Sequence, residues 1–269
     1  MHRHFTTRWI LVATVAALAC VSVYHLWLRQ LMEAGDLRLG AVSHRLAPIY
    51  AYWRPHIKGW LIWPILTLCA YFWTLKRTNL LANLSDRAAL ASLFAWAVAI
   101  TTTVAMLDGG PRRLPEPFQR TDLEYFGAVE RVESVSAFLR EFPTRMDDLP
   151  MHATTHPPGA ILFLWLSQQL LWEGPDAAAW FTIVFGCLTV CPVFFWARDV
   201  SDSQTARVAA SIFVLSPSVV LFTATSMDGP FAVILISAAW LGHRAIDRQS
   251  WRWGLAAGAM LAAGALMTY

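Results

Sequence analysis

The sequence predicts an all-α fold: a polytopic transmembrane helical bundle of about seven to eight hydrophobic segments. A long external loop with a juxtamembrane amphipathic helix interrupts it. Composition is the first reason. Hydrophobic residues fill 57% of the 269 positions and charged residues only 14%, with 14 tryptophans and a positive mean hydropathy. A soluble domain carries about 25% charged residues, and a chain this apolar would expose too much greasy surface in water. Patterning is the second. Apolar runs lie near 9–28, 59–75, 88–107, 178–197, 206–225, 229–243 and 253–268, and most approach the ~20 residues that cross a hydrocarbon core.

Taken in order, "MHRHFTTRWILVATVAALACVSVYHLWL" has a basic start and an apolar run too long for a signal-peptide core, so it predicts an uncleaved first span. With the runs near 59–75 and 88–107 it makes an N-terminal membrane part, 1–107. The stretch 108–158 is polar and holds half of the chain's acidic residues. It opens on the Pro-rich "DGGPRRLPEPFQR", which cannot form regular helix. Next, "DLEYFGAVERVESVSAFLREF" spaces Phe126, Val129, Val132, Val135, Leu139 and Phe142 three or four apart. That pattern predicts one amphipathic helix suited to the membrane interface; packing on the loop itself is the alternative. Residues 159–269 form a second membrane part.

Charge does not settle the topology of the first part, because Arg29, Arg38, Arg45, Arg54 and Lys58 oppose the parity that the loop 76–87 suggests. In the second part, "RDVSDSQTAR" and "HRAIDRQSWR" resemble cytoplasmic loops. Parity then requires one segment that does not cross. Residues 159–172, short and containing Gln168 and Gln169, fit a helix that dips in and returns. On that count Asp228 shares a side with Asp122. The four cysteines, Cys20, Cys69, Cys187 and Cys191, sit in apolar segments without zinc or disulfide spacing, as small buried hydrophobes do. Nothing points to a nucleic-acid partner.

Three clusters could carry chemistry: "RTDLEYFG", "HATTHPPG" and "TATSMDGPF". Asp122 and Glu124 could act as general base on a hydroxyl or hold a divalent cation; solvated carboxylates near a helix start are the plain alternative. Asp228, alone between two apolar segments, is costly at a membrane helix end unless it is used; an N-cap before Gly229 and Pro230 is equally natural. Pro157 keeps His156 extended, and Pro158–Gly159 begins a helix whose first N–H groups make an anion site. A simple capping corner is the alternative, and the His152/His156 pair makes a weak metal site.

The order of these motifs resembles the GT-C glycosyltransferases of the family-39 type, which include protein O-mannosyltransferases and lipid A aminoarabinose transferases. The acidic motif of the first external loop is matched by Asp122 and Glu124 in "TDLEY", with Leu123 between the acids where the family has them adjacent. The Pro-Pro turn is matched by His156, Pro157 and Pro158, and the second acidic position by Asp228. "GLAAGAMLAAGALMTY" is similar to the glycine-rich helix that follows, so the resemblance covers roughly residues 115–269. It implies a membrane enzyme that transfers a sugar, with inversion, from a polyprenyl-phosphate donor to an acceptor hydroxyl on a lipid, glycan or protein. The active site would face outward from a bacterial cytoplasmic membrane. Asp122 or Glu124 would be the base, and His156, Pro158, Gly159 and Arg120 would bind the leaving phosphate. Asp228 would orient the site or join Asp122 in holding Mg or Mn, the only cofactor expected. The resemblance also implies further spans beyond Tyr269, the chain being the N-terminal part of a longer enzyme. The competing classes are a lipid or amphiphile transporter, for which inverted repeats would be expected, and a catalytically silent membrane scaffold.

Overall fold

The computed structural model describes residues 58–78 and 84–268, with scattered positions between 12 and 30. The chain divides into two compact units, Met1–His56 and Ile57–Tyr269. In the first, the described positions between Val12 and Gln30 are helical; most of the expected span at 9–28 lies outside the described residues. The second unit carries the polar stretch and the helices that flank it.

There the regular structure is helical, with no strand among the described residues. Each apolar run has become helix: α1 Ile62–Thr78, α2 Asp86–Ala105, and then, beyond the polar stretch, α5 Gly159–Leu170, α6 Pro175–Cys187, α7 Val190–Val200, α8 Ser203–Val214, α9 Pro217–Thr225, α10 Asp228–Asp247 and α11 Trp251–Met267. The polar stretch holds short 3-10 pieces together with α3 Val135–Arg145 and α4 Met151–Thr154.

Three stretches are long and apolar enough to cross a membrane: Asp86–Ala105, Pro175–Val200 (α6 and α7 in series) and Asp228–Asp247. Helices α8 and α9, bent by 57°, can make a fourth. This is the build of an integral membrane protein, with fewer qualifying spans among the described residues than the seven or eight segments expected. At 17 residues each, α1 and α11 sit at the short end of the ~17–25 residue range for a span. The α8–α9 bend has a local cause. Pro217 lacks an N–H and drives Ser216 out of the helical region, to ψ 118°.

One end of the bundle is tied by charge. Asp86, at the start of α2, accepts from Arg207 (2.8 Å), Ser203 (2.8 Å) and Arg198 (3.4 Å). Asp199 accepts from Arg244 Nε (2.5 Å) and Nη2 (2.9 Å) and from the Trp240 indole (2.8 Å). These bonds gather the start of α2, the α7–α8 turn and the end of α10 at one end. The 106–158 stretch, the start of α6 and Asp228 therefore lie at the other.

Helix α5 has both ends near that second end. Its first residue, Gly159, abuts the last turn of α11, where an added Cβ would stand 2.4 Å from the Leu266 carbonyl oxygen. Its exit is held by Gln168 Oε1, which accepts from Gly174 N–H (2.5 Å) just before α6 begins. Twelve residues at ~1.5 Å each also fall well short of the ~30 Å hydrocarbon core.

The expected single amphipathic helix is broken in two. Residues Tyr125–Arg131 form a 3-10 segment, and α3 starts only after Ser134, whose hydroxyl caps Ala137 N–H at 3.2 Å. A serine at that position satisfies an orphan donor and so favours a new helix start over continuation. The break re-sorts the apolar residues. Val129, Val132, Phe138 and Phe142 are buried, whereas Val135 and Leu139 are exposed.

Candidate functional site

The loop 120–128 is wound tightly. The Arg120 carbonyl accepts from both Leu123 N–H (3.0 Å) and Glu124 N–H (2.8 Å). Gly127 passes so close that a Cβ would lie 2.0 Å from the Thr121 carbonyl oxygen. The loop is then stitched to the start of α4, with Met151 N–H on Asp122 O (3.1 Å) and His152 N–H on Leu123 O (3.0 Å). Two motifs 28 residues apart thereby share one piece of structure.

Side chains follow from that stitching. His152 Nδ1 lies 3.3 Å from Glu124 Oε2; a carboxylate can only accept, so this nitrogen carries the proton. His156 Nδ1 lies 3.0 Å from the His152 carbonyl and donates to it. Between the imidazoles stands Tyr125, 5.9 Å from the His152 ring and 5.7 Å from that of His156, edge-on to the latter. Tyr125 is buried. Burial pushes its phenol up to about 12, and the charges of Glu124 and then Asp228 add to the shift. Asp228 is thus within electrostatic reach of the loop although it lies a hundred residues on. Asp228 is exposed at the start of α10, and its carboxylate accepts from Ser226 Oγ (2.7 Å).

The residues singled out in the sequence divide as follows. Glu124 and His156 flank Tyr125, and the charge of Asp228 reaches its phenol. Asp122 is exposed at the lip of the same loop, and its carboxylate makes no hydrogen bond or ion pair among the described residues. Arg120 is exposed and supplies the carbonyl on which the loop turns. Pro158 stands at the cap of α5, and the buried Gly159 serves close packing against α11. Among the described residues no three His, Cys, Asp or Glu side chains come together as a metal site. A divalent cation here would draw most of its ligands from water and a substrate phosphate. No sequence pattern marked the Glu124–His152 contact or a tyrosine flanked by two histidines. Only the bare tally of acids and histidines hinted at them, since the pairing depends on how the loop winds.

Two predictions test this geometry. In an alkaline titration of tyrosinate absorbance, one component with a midpoint near 12 is expected, and Tyr125→Phe removes it. Asp228→Asn and Glu124→Gln each lower that midpoint; a component unmoved by Asp228→Asn would place that acid elsewhere. The phenol ionises at 10 when unperturbed and near 12 here. Its contribution to stability is therefore complete below pH 10 and is lost as pH rises through 12. Separately, Gly127→Ala should destabilise by about 1–3 kcal/mol through overpacking against backbone. Gly258→Ala, with nothing within 4 Å of the new Cβ, should leave the melting temperature in detergent unchanged or slightly raised.

Comparison with known proteins adds one likeness. No curated protein and no solved structure is matched by the chain. Residues 155–269, under half of the chain, match the family model of dolichyl-phosphate-mannose-protein mannosyltransferase. The matched part takes in His156, Pro158, Gly159 and Asp228 and begins after the Asp122–Glu124 loop. From the histidine corner onward, the chain is similar to membrane mannosyltransferases.

Proposed function

We propose that the chain is a membrane glycosyltransferase moving a sugar from a polyprenyl-phosphate donor to an acceptor hydroxyl on the extracytoplasmic side. The observation that carries this reading is the grouping of Glu124, His152 and His156 about Tyr125, with the charge of Asp228 felt by the same phenol. Two of those five residues, His156 and Asp228, lie in the segment similar to mannosyltransferases. Orientation is supported by the opposite end, where Arg198, Arg207 and Arg244 cluster with the nearby Arg248 and Arg252, the bias expected of a cytoplasmic face.

In this reading Asp122, whose carboxylate makes no hydrogen bond or ion pair among the described residues, takes the proton of the acceptor hydroxyl. That oxygen attacks the anomeric carbon, and the bond from carbon to phosphate oxygen breaks with its electron pair leaving on the lipid phosphate. The configuration inverts. Glu124 holds His152 through the Nδ1–H bond and keeps negative charge beside the reacting centre. His156, pinned by the His152 carbonyl and set by the Pro157–Pro158 corner, faces the leaving phosphate with Arg120. Charge stabilisation of that kind is often the largest catalytic term. Asp228 orients the acceptor, and Tyr125, protonated at neutral pH, is available as a hydrogen-bond donor.

The test is transfer by the purified chain in vesicles containing radiolabelled polyprenyl-phosphate sugars, with polyprenyl phosphate released in step with labelled product. Movement of the intact donor between leaflets without any transfer would replace the enzyme reading with a transporter.

A further inference from the structure

The segment Tyr125–Arg131 borders a second space that shares no residue with the acid–histidine locus. Between its Phe126–Val132 side and the end of α5 lies a cleft of about 610 Å³. Its lining combines two aromatic rings, Phe126 and Trp165, with the amides of Gln168 and Gln169 and the carboxylates of Glu130 and Glu173, and includes no Lys, Arg or His. Gln168 is already committed to the rim, accepting from Gly174 N–H and donating to Ser167 Oγ at 2.8 Å. Gln169, Glu130 and Glu173 are exposed and make no hydrogen bond or ion pair among the described residues. Another cavity, about 360 Å³ beside Asp228, is walled chiefly by apolar groups such as Val219, Phe222 and Ile236. The two spaces suit different chemistries.

We propose that the 610 Å³ cleft is a saccharide-binding subsite that receives a neutral, hydroxyl-rich acceptor. The acceptor role rests on the transferase reading of the adjoining locus. A sugar ring lays its C–H face on Trp165, while its hydroxyls donate to Glu130 and Glu173 and exchange bonds with the Gln169 amide. This is the mix of aromatic wall and few convergent polar groups that fixes a small polar ligand. A phosphate or carboxylate would meet two acids and no base. A bare hydrocarbon chain would strip water from three polar groups and return no hydrogen bond. Beside the cleft, Leu166, Leu170, Leu171 and Trp172 are exposed, an apolar edge on which the tail of a sugar-headed lipid can lie.

The test uses the full chain in nanodiscs of zwitterionic lipid, free of sugar-headed detergent. The probes are a neutral disaccharide, the same disaccharide on a decyl chain, and decyltrimethylammonium, read by saturation-transfer NMR. Both disaccharides are expected to bind. Trp165→Ala and Gln169→Ala should each weaken binding roughly tenfold, the size of one lost aromatic or polar contact, and Trp165→Phe should retain it, which shows that the cleft still folds. Tighter binding of the decyl form identifies a glycolipid acceptor, and equal binding a soluble glycan; either upholds the site. Silence from both disaccharides, tighter binding of the trimethylammonium probe, or wild-type binding by Trp165→Ala overturns it. Disaccharide binding by a chain that transfers no sugar upholds the saccharide site and overturns the transferase reading.

Discussion

Asp122→Asn is expected to lower sugar transfer by about 10²–10⁴-fold, the usual contribution of a positioned general base, with the donor KM little changed. Asparagine keeps the side-chain shape and the loop's backbone bonds. Met151 N–H on Asp122 O and His152 N–H on Leu123 O do not involve the carboxylate, so expression and melting temperature should hold. Glu124→Gln should have a smaller effect. An amide oxygen still accepts from His152 Nδ1, 3.3 Å away in the native protein, but the charge beside the reacting centre is gone. Because the two acids share one loop and one field, the double variant should fall little below Asp122→Asn alone. Transfer persisting in the double variant would remove the acids from the mechanism. A full effect of Glu124→Gln with activity retained in Asp122→Asn would exchange their roles.

The parts of this molecule that the sequence revealed are those set by local chemistry. Apolar runs became helices close to their expected limits: 88–107 became Asp86–Ala105, and 229–243 became Asp228–Asp247. Shortness and the pair Gln168 and Gln169 marked 159–172 as the odd segment, and Gly159–Leu170 is a short helix with both ends near one end of the bundle. Periodicity misled at Val132–Ser134. Three-and-four spacing continues through that point, but a single capping hydroxyl outweighs it, because a satisfied N-terminus contributes about 1 kcal/mol locally whereas the pattern only permits a helix. The 57° bend at Pro217 was likewise hidden inside an apolar run, although the proline that causes it was in view. At the candidate site, the residue types were visible and their partnerships were not. Glu124 meets His152, and Tyr125 stands between two imidazoles, because backbone bonds join residues 122–123 to 151–152. No local pattern encodes such a join.

Arg244→Met is expected to destabilise the protein by an amount near the lower end of the ~3–5 kcal/mol lost when one partner of a buried ion pair is removed. The side chains of Arg244 and Asp199 are each only 12% exposed, so neither charge can turn fully to water when its partner is gone. Methionine would leave Asp199 with the Trp240 indole as its sole hydrogen-bond donor among the described residues. It would also empty the place between the Trp240 and Trp253 rings, each 4.8 Å from the guanidinium. The lower end of the range applies because this pair sits at a helix end, where some water reaches it. Asp199→Asn should cost less, since the neutral amide still accepts from Trp240 and leaves the arginine at the interface. The double variant Asp199→Asn, Arg244→Met should be more stable than Arg244→Met alone, because no charge is then stranded. Melting temperatures in detergent for the four chains measure that coupling. The exposed pair Arg145–Glu141 is the reference: breaking it should shift the melting temperature hardly at all. If Arg244→Met behaves like the Arg145 variant, the charged end does not hold α10 against the α7–α8 turn. The placement of Asp228 at the opposite end of the bundle would then lack its mechanical support.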